Sequence, residues 1–419
     1  VTLAIGAANR DPEIFENPNE FNIYRSSGKI VSFGFGPHYC LGAHLSKQEA
    51  EIVLSELISR YPKVTLPTNF QPVYRHSSHI RGIISMPLVL KQFPTGKLEH
   101  YRTIARNEIA SKFNEFGHFP TFELYPAIDP NRWIYTIPSP FIHANVCLSL
   151  LNAAELDATL IEKAKSYLLS MKEVGDLWRF WELKQAQNNV PIDMDDTAIC
   201  SHVLEKLGET IHNKSILTML IKKDGRMLTW LFPSVRLART NFRVFLRSLV
   251  TLQLIKPTLK AGMIAKNDTE LSVMANVCLY LGNTNNAQKI ARFCVDSWQF
   301  KQSMGQFYDN QLIDAFHVAR AYANGVVAFE QLKPQINELI AKNYLIYEPI
   351  SLILAYLTLV HLNVSIELQL KIKRLILESE IIEEKITKNY PYFTSKDRNF
   401  YAGSSVLSSA WFLEATKDW

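Results

Sequence analysis

The most informative stretch of the chain reads Phe33-Gly34-Phe35-Gly36-Pro37-His38-Tyr39-Cys40-Leu41-Gly42-Ala43. Its glycines allow the backbone to turn tightly and to approach a flat ligand closely. The loop delivers a single cysteine to the start of a predicted helix, where unpaired N–H groups and the helix dipole favour negative charge. Two interpretations follow: a thiolate that stays deprotonated as a ligand of iron, or a buried structural cysteine behind a glycine turn.

The flanking residues favour the first interpretation. The loop resembles the haem-binding signature of the cytochrome P450 family, and the likeness continues on both sides through residues 8–12 and 15–21, then 61–62, 75, 80–82 and 86–90. A helix is predicted from Gly42 to about Arg60, with one apolar face made of Leu45, Ile52, Val53, Leu57 and Ile58. Residues 1–92 are therefore interpreted as the C-terminal segment of a cytochrome P450.

The resemblance implies a role for each residue of the loop. Cys40 would be the axial thiolate of a haem cofactor and thus its metal ligand, and His38 would hydrogen-bond a haem propionate. Phe33 would screen the sulfur, with Gly34 and Gly42 as the joints of the loop. The family implies a monooxygenase that is fed by a separate electron-donor protein of ferredoxin or flavoprotein type. Its substrate would be small and hydrophobic, such as an isoprenoid.

The chain departs from the family pattern before the loop. It begins at Val1, and neither a helix with an acid–alcohol pair nor a Glu-x-x-Arg pair precedes Cys40. The distal wall of the haem pocket would come from residues that are not in this sequence. We therefore expect a fragment whose parent is a monooxygenase and which is inactive alone as one.

The composition of the chain argues against several classes of protein function. The 419 residues carry 45 basic and 40 acidic side chains, a net charge of +5, too mild to indicate nucleic-acid binding. Five widely spread cysteines without a CxxC pair predict neither a zinc site nor a disulfide framework. No apolar run reaches about 18 residues, so no membrane span is predicted. These features are typical of a cytoplasmic protein.

The rest of the chain predicts a second, helical domain. Residues 93–128 are interpreted as a linker and connecting helix, and residues 129–419 consist of helix-length apolar runs. The segment 144–152 repeats at 275–283 with seven of nine residues identical, a separation that fits three helical-pair repeats. The expected fold class is thus mainly α, with the fragment of a cytochrome P450 fold joined to an α/α barrel.

A cluster of acids gives the second domain a candidate chemistry. Asp193, Asp195 and Asp196 precede an apolar helix in the stretch 190–198. Clustered carboxylates raise one another's proton affinity, so one can act as a general acid near neutral pH. The stretch resembles the Asp-x-Asp-Asp-Thr-Ala motif of class II terpene cyclases, which start cyclisation by protonating an alkene or epoxide. In that resemblance Asp195 is the proton donor, and Asp193 and Asp196 tune and orient it.

Alternatives remain open for this domain. Acids before an apolar helix also satisfy its N-cap and its dipole, with no chemistry at all. Trp178, Phe180 and Trp181 would line a cavity that stabilises carbocations, or simply belong to the core. The barrel would then be either a terpenoid cyclase-like enzyme fused to the P450 segment or a non-catalytic helical interaction module.

Overall fold

The computed structural model describes residues 4–22, 25, 30–61, 63–76, 82–91, 95–135, 139–180, 190–260, 264–299, 307–308, 310–395 and 398–419. The chain divides into two units, Val1–Phe93 and Pro94–Trp419. Most of the described residues lie in helices, and the strands are few and short. The predicted mainly α class is therefore confirmed.

The first unit is built around one long helix. Its elements are α1 (Ile5–Ala8), a 3₁₀ turn (Gly36–His38), α2 (Ala43–Arg60), β1 (Lys63–Thr65) and β2 (Val89–Lys91). The two strands pair antiparallel with Val64 opposite Leu90. Helix α2 occupies the predicted span, because Gly42 forms its N-cap and Tyr61 leaves the helical region.

The predicted apolar face of α2 is not buried within this unit. Leu45, Ile52 and Val53 are 59%, 64% and 63% exposed, and Leu57 is half-buried, while the side chain of Ile58 lies outside the described residues. Apolar side chains on one helical face indicate a surface that normally packs against another part of a protein. Of the other predicted family segments, residues 62, 80 and 81 also lie outside the description.

The second unit alternates buried and half-exposed helices. Its helices are α3 (Thr95–Phe116), α4 (Pro140–Ala153), α5 (Ala158–Ser170), α6 (Met194–Lys206), α7 (Lys214–Met219), α8 (Val235–Thr240), α9 (Phe242–Leu254), α10 (Lys256–Lys260), α11 (Leu271–Leu281), α12 (Asn285–Gln299), α13 (Gln311–Ala323), α14 (Lys333–Asn343), α15 (Pro349–Leu362), α16 (Ile366–Glu378), α17 (Ile382–Ile386) and α18 (Ser405–Thr416). The strands are β3 (Phe122–Leu124), β4 (Trp133–Tyr135), β5 (Ile192–Asp193), β6 (Trp230–Leu231), β7 (Tyr390–Thr394) and β8 (Tyr401–Ser404).

Six helices of the described chain form the interior of this unit. Helices α4, α6, α11, α13, α15 and α18 each pack against the next in this order, and α18 packs against α4. Nearly every residue of each is buried, including polar side chains such as Asp195 in α6 and Arg320 in α13. Helices α3, α5, α12 and α16 pack outside them on α18, α4, α11 and α15. These outer helices bury one stripe and expose the other.

Helix α3 belongs to this core, although residues 93–128 were expected to act as a linker and connecting helix. It buries Tyr101, Ala105, Ile109 and Phe113, which recur at every fourth residue on one face. The guanidinium of Arg102 donates to the carbonyl oxygen of Thr416 at 2.7 Å, at the end of α18. The segment therefore helps to hold the last helix of the unit.

The two copies of the repeated segment, which we call the sequence echo, lie in two interior helices. Residues 144–152 lie in α4, and residues 275–283 begin in α11. Asn145 and Asn276 occupy matching positions in the echo, and both are fully buried. Both amides point toward the same guanidinium, as described below, so the echo marks equivalent structural positions.

Gly403 in β8 is expected to tolerate no side chain. A Cβ at this position would overlap the carbonyl oxygen of Tyr390 on the paired strand β7. Because backbone cannot move away cheaply, we expect Gly403→Ala to lower the free energy of unfolding by about 3 kcal/mol, measured by urea denaturation. Gly96→Ala in α3 is the matched control, since nothing lies near its Cβ. An unchanged stability of the Gly403 variant would contradict the strand pairing.

No helix in the described part of the chain is long and apolar enough to cross a bilayer.

Candidate thiolate loop and buried acid cluster

Hydrogen bonds of the backbone close the loop that carries Cys40. The amide of Cys40 donates to the carbonyl oxygen of Phe33 at 2.8 Å, and that of Tyr39 donates to Gly36 at 3.0 Å. Gly34 and Gly36 have φ values of +79° and +66°, which side chains rarely adopt. The two glycines are thus required by the turn itself.

The thiol at the end of this loop is exposed. Cys40 lies three residues before α2, and the amide of Ala43 donates to its carbonyl oxygen at 3.2 Å. The alternative of a buried structural cysteine is therefore wrong. Phe35 and Leu41, on either side of it in sequence, are 88% and 101% exposed.

The other predicted loop residues have varied surroundings. Phe33 is half-buried, with its ring 6.4 Å from that of Tyr39 and the Nζ of Lys47 5.9 Å from its centroid. His38 is exposed in the 3₁₀ turn. Gly42 has φ −85°, and a Cβ there would lie 3.9 Å from the sulfur, so neither strain nor space requires glycine.

These residues fit a haem on the side of the thiolate. A flat, largely apolar macrocycle needs an accessible sulfur with apolar side chains beside it, and Cys40, Phe35 and Leu41 offer both. In the part of the chain that is described, no group of three or more His, Cys, Asp or Glu side chains could hold a metal ion.

The three acids of the second unit lie at the start of α6 and are buried. Asp193 is the N-cap, and its Oδ1 accepts from the amide of Asp195 at 2.8 Å. Asp195 and Asp196 follow in the first turn and are 4% and 1% exposed. Asp193 thus caps the helix, as expected if the acids had no chemical role, whereas Asp195 and Asp196 face the interior.

Asp195 is held by side chains from two other interior segments. Its Oδ1 accepts from Nδ2 of Asn276 in α11 at 2.6 Å, and its Oδ2 accepts from the hydroxyl of Tyr308. Asn276 is oriented in turn by Arg320 of α13, whose Nη2 donates to its Oδ1 at 3.1 Å. The other nitrogen of Arg320, Nη1, donates to Oδ1 of Asn145 at 3.0 Å. A chain of hydrogen bonds therefore fixes the geometry around one carboxylate.

Burial shifts the acidity of the whole cluster. It raises the pKa of Asp195 to about 6, against the opposing hydrogen bonds of Tyr308 and Asn276 and the charge of Arg320. Burial and then the neighbouring carboxylates hold the pKa values of Asp193 and Asp196 well above their usual range. Neither oxygen of Asp196 has a hydrogen-bond partner among the described residues. The cluster therefore keeps its protons to higher pH than exposed carboxylates do.

An aromatic cavity of about 40 Å³ lies beside the cluster. Phe393 stacks on Phe307 and Phe180 at centroid distances of 5.7 and 4.9 Å, and Trp230 meets Phe307 edge-on at 5.5 Å. Asp193 lines this cavity, whereas Asp195 does not. The ring of Tyr308, which binds Asp195, lies 5.8 Å from that of Phe393 in the cavity wall. A larger groove of about 350 Å³ between α3 and α5 contains none of these acids.

The predicted aromatic residues separate in the structure. Phe180 lines the cavity, but Trp178 is a core residue whose Nε1 donates to the carbonyl oxygen of Leu168 at 2.9 Å. Trp181 lies outside the described residues. The remaining aromatic lining was missed because its members lie far apart in sequence: Trp230, Phe307, Phe393 and Phe400.

The raised pKa values make the stability of this unit depend on pH. In the unfolded chain these acids lose their protons from about pH 4, whereas in the fold they keep them to higher pH. The free energy of unfolding therefore falls as pH rises through this window. For Asp195 the window runs from the ordinary value of 3.8 to about 6, which corresponds to roughly 3 kcal/mol.

Asp196→Asn is expected to stabilise the protein at alkaline pH. The amide cannot ionise, so the variant avoids a buried charge that has no hydrogen-bond partner in the described part of the chain. We expect the free energy of unfolding to rise by about 2 kcal/mol at pH 8 and to stay nearly unchanged at pH 4.5, measured by urea denaturation. Asp224→Asn, on an exposed turn, is the control. Equal stabilisation at both pH values would argue against the ionisation of Asp196.

The chain is similar to known proteins in its first unit. The cytochrome P450 family model matches residues 1–86. A polyketide biosynthesis cytochrome P450, PksS, from Bacillus subtilis is 42% identical over 95 residues, 22% of this chain and 23% of the relative. A biotin biosynthesis cytochrome P450 from the same bacterium is 42% identical over 91 residues, with the same shares. The 6-deoxyerythronolide B hydroxylase of Saccharopolyspora erythraea is 41% identical over 91 residues, 22% of each chain.

The chain spans about a quarter of the length of the curated relatives that it matches. The first 86 residues of the chain are therefore similar to cytochrome P450.

Proposed function

We propose that the first unit is the haem-ligand segment of a cytochrome P450 monooxygenase and that Cys40 binds the iron. The exposed thiol on a closed, glycine-turned loop, within the part that matches the family model, carries this proposal. A thiolate-bound haem supplies oxygen activation when electrons reach it. The role of the loop is to present the sulfur in one place, through the backbone bond between Cys40 and Phe33. His38 would bind a propionate.

The complete enzyme would need more than this unit. A separate ferredoxin or flavoprotein would donate the electrons, and a small hydrophobic molecule would be the substrate. The exposed apolar face of α2, with Leu45, Ile52 and Val53, supports a role as part of a larger assembly. The test is the carbon monoxide difference spectrum of the reduced protein, expressed from its complete coding sequence and loaded with haem.

For the second unit we propose an α/α barrel similar to those of terpenoid cyclases and prenyltransferases. The cyclic packing of the six interior helices, with further helices outside, supports this architecture. The domain boundaries that we propose are 1–92 for the P450 segment, 93–128 for the linker and connecting helix, and 129–419 for the barrel, with the connecting helix α3 packed on the outside of the barrel.

The proposed activity of the barrel is proton-initiated cyclisation with Asp195 as the general acid. The observation that carries it is a buried carboxyl of pKa about 6, held by Asn276 and by Tyr308, whose ring packs on Phe393 in the wall of the aromatic cavity. The protonated oxygen of Asp195 would transfer its proton to a substrate alkene or epoxide, and the ring faces of Trp230 and Phe307 would stabilise the resulting cation. Asp193 and Asp196 hold the cluster's shared protons.

One observation favours the alternative of a non-catalytic interaction module. The cavity of about 40 Å³ holds little more than one water molecule, far less than an isoprenoid needs. Incubation with isoprenoid diphosphates, followed by product detection, separates the two functions. Cyclised product from the intact protein and none from the Asp195 variant would establish the catalytic one.

A further inference from the structure

Residues 234–260 form a strongly basic segment of the second unit. Six basic residues and no acidic residue occur in these 27 positions: Arg236, Arg239, Arg243, Arg247, Lys256 and Lys260. Five of the six are exposed, whereas Arg247 is half-buried and its Nε donates to Oε2 of Glu173 at 3.2 Å. The segment comprises α8, α9 and α10: Arg243 and Arg247 lie on α9 itself, and the other four cations lie on the helices before and after it.

The helix in the middle, α9, carries five large apolar side chains on the outside. Phe242, Leu246, Leu249, Val250 and Leu254 are between 40% and 61% exposed. These positions recur at three- and four-residue spacing, which places them on one continuous face. The face turned to the protein instead buries Val244, Ser248 and Thr251. Phe245 and Leu252 also pack against the core, so α9 carries apolar side chains on both its inner and its outer face.

We propose that this basic apolar surface, made of the five apolar residues of α9 with Val235 and the five exposed cations, docks onto an anionic phospholipid bilayer. An amphipathic helix with apolar side chains on one face and Lys or Arg around it lies in the interfacial plane of a membrane. Anionic headgroups match a segment that has cations only, and each cation near the surface adds to the affinity. A surface that binds a protein partner instead has an uncharged core and a rim with charges of both signs.

Helix α10 also takes part in the aromatic cavity. Thr258, two residues from the exposed Lys256, lines that cavity together with Asp193 and Trp230. We infer that a hydrophobic molecule dissolved in the bilayer would enter the second unit from this side. This last step rests on the proposed cyclase function, whereas docking itself does not.

The experiment is sedimentation of the full chain with phospholipid vesicles. We expect binding to vesicles that contain phosphatidylglycerol, with roughly tenfold weaker binding to vesicles of phosphatidylcholine alone or at high salt. The double variant Leu246→Glu with Val250→Glu should bind roughly tenfold more weakly, because it places two anions on the apolar face. Both positions are exposed, and circular dichroism checks that the variant is folded.

A matched variant controls for general surface hydrophobicity. Leu345→Glu with Ile346→Glu introduces the same change at positions that are 73% and 81% exposed on a different part of the second unit, and it should bind like the parent. Equal binding to neutral and anionic vesicles, or an equal loss in both double variants, would overturn the proposal. So would a dimer that dissociates in the α9 variant without any vesicle binding, since the surface would then bind a second copy. Vesicle binding without cyclase activity would leave docking established and remove only the delivery step.

Discussion

Asp195→Asn is expected to lower the rate of proton-initiated cyclisation by about 10³-fold, because an amide cannot donate the proton that starts the reaction. The substitution keeps the shape of the side chain, so Asn276 and Tyr308 retain a partner for their hydrogen bonds. Product formation from isoprenoid diphosphates, quantified after removal of the diphosphate, is the measurement. The variant should bind the substrate almost as well as the parent.

The pH profile of the intact protein provides a second, independent readout. Only the protonated carboxyl donates, so the rate should fall as pH rises above the pKa of about 6 for Asp195. Asp193→Asn is the informative comparison, since Asp193 is the acid that lines the cavity. If the Asp193 variant is inactive and the Asp195 variant is not, the donor is Asp193. Full activity in both variants would show that neither Asp193 nor Asp195 is the proton donor.

Cys40→Ser is expected to abolish the red-shifted Soret band of the reduced, carbon monoxide-bound haem protein. A hydroxyl does not replace the thiolate that gives this band. The experiment uses the protein expressed from its complete coding sequence and compares the haem content and the difference spectrum of each variant. The remaining four cysteines are buried, so none of them can replace Cys40 at an exposed loop.

Tyr39→Phe is the matched control for the loop. It changes the neighbouring residue, which is 50% exposed, and leaves the turn and the sulfur in place. The control should keep the thiolate spectrum, whereas the Cys40 variant should lose it without loss of folding. A thiolate spectrum that persists in Cys40→Ser would mean that another residue binds the iron. Because this readout involves only the first unit, it is independent of the outcome for Asp195.

Local motifs could be predicted from the sequence because their parts are adjacent in the chain. The loop at 33–43 and the acids at 193–196 each lie within a dozen residues, and the structure describes both. The partners of Asp195 could not be predicted in the same way, because Asn276, Tyr308 and Arg320 reach it only through the packing of separate helices. The echo of residues 144–152 at 275–283 was the one signal that pointed to Asn276.

Two helices show where composition misleads. Helix α3 has many polar residues and was expected to be part of a linker, although its four-residue spacing of Tyr101, Ala105, Ile109 and Phe113 already indicated a buried stripe. Helix α9 has the apolar spacing of a helix packed on a core, yet its outer apolar face is exposed and its small residues are buried. Periodicity therefore identifies a face, but it does not say what covers that face.

The position of Arg320 has a consequence for how the two halves of the repeat depend on each other. Its guanidinium holds one amide from α4 and one from α11, which are 131 residues apart in sequence. The bond to Asn276 sets which end of that amide faces Asp195. A perturbation at Asn145 that displaces the guanidinium is thus transmitted to the carboxyl through Asn276. The acidity of Asp195 is therefore energetically coupled to a side chain three hydrogen bonds away.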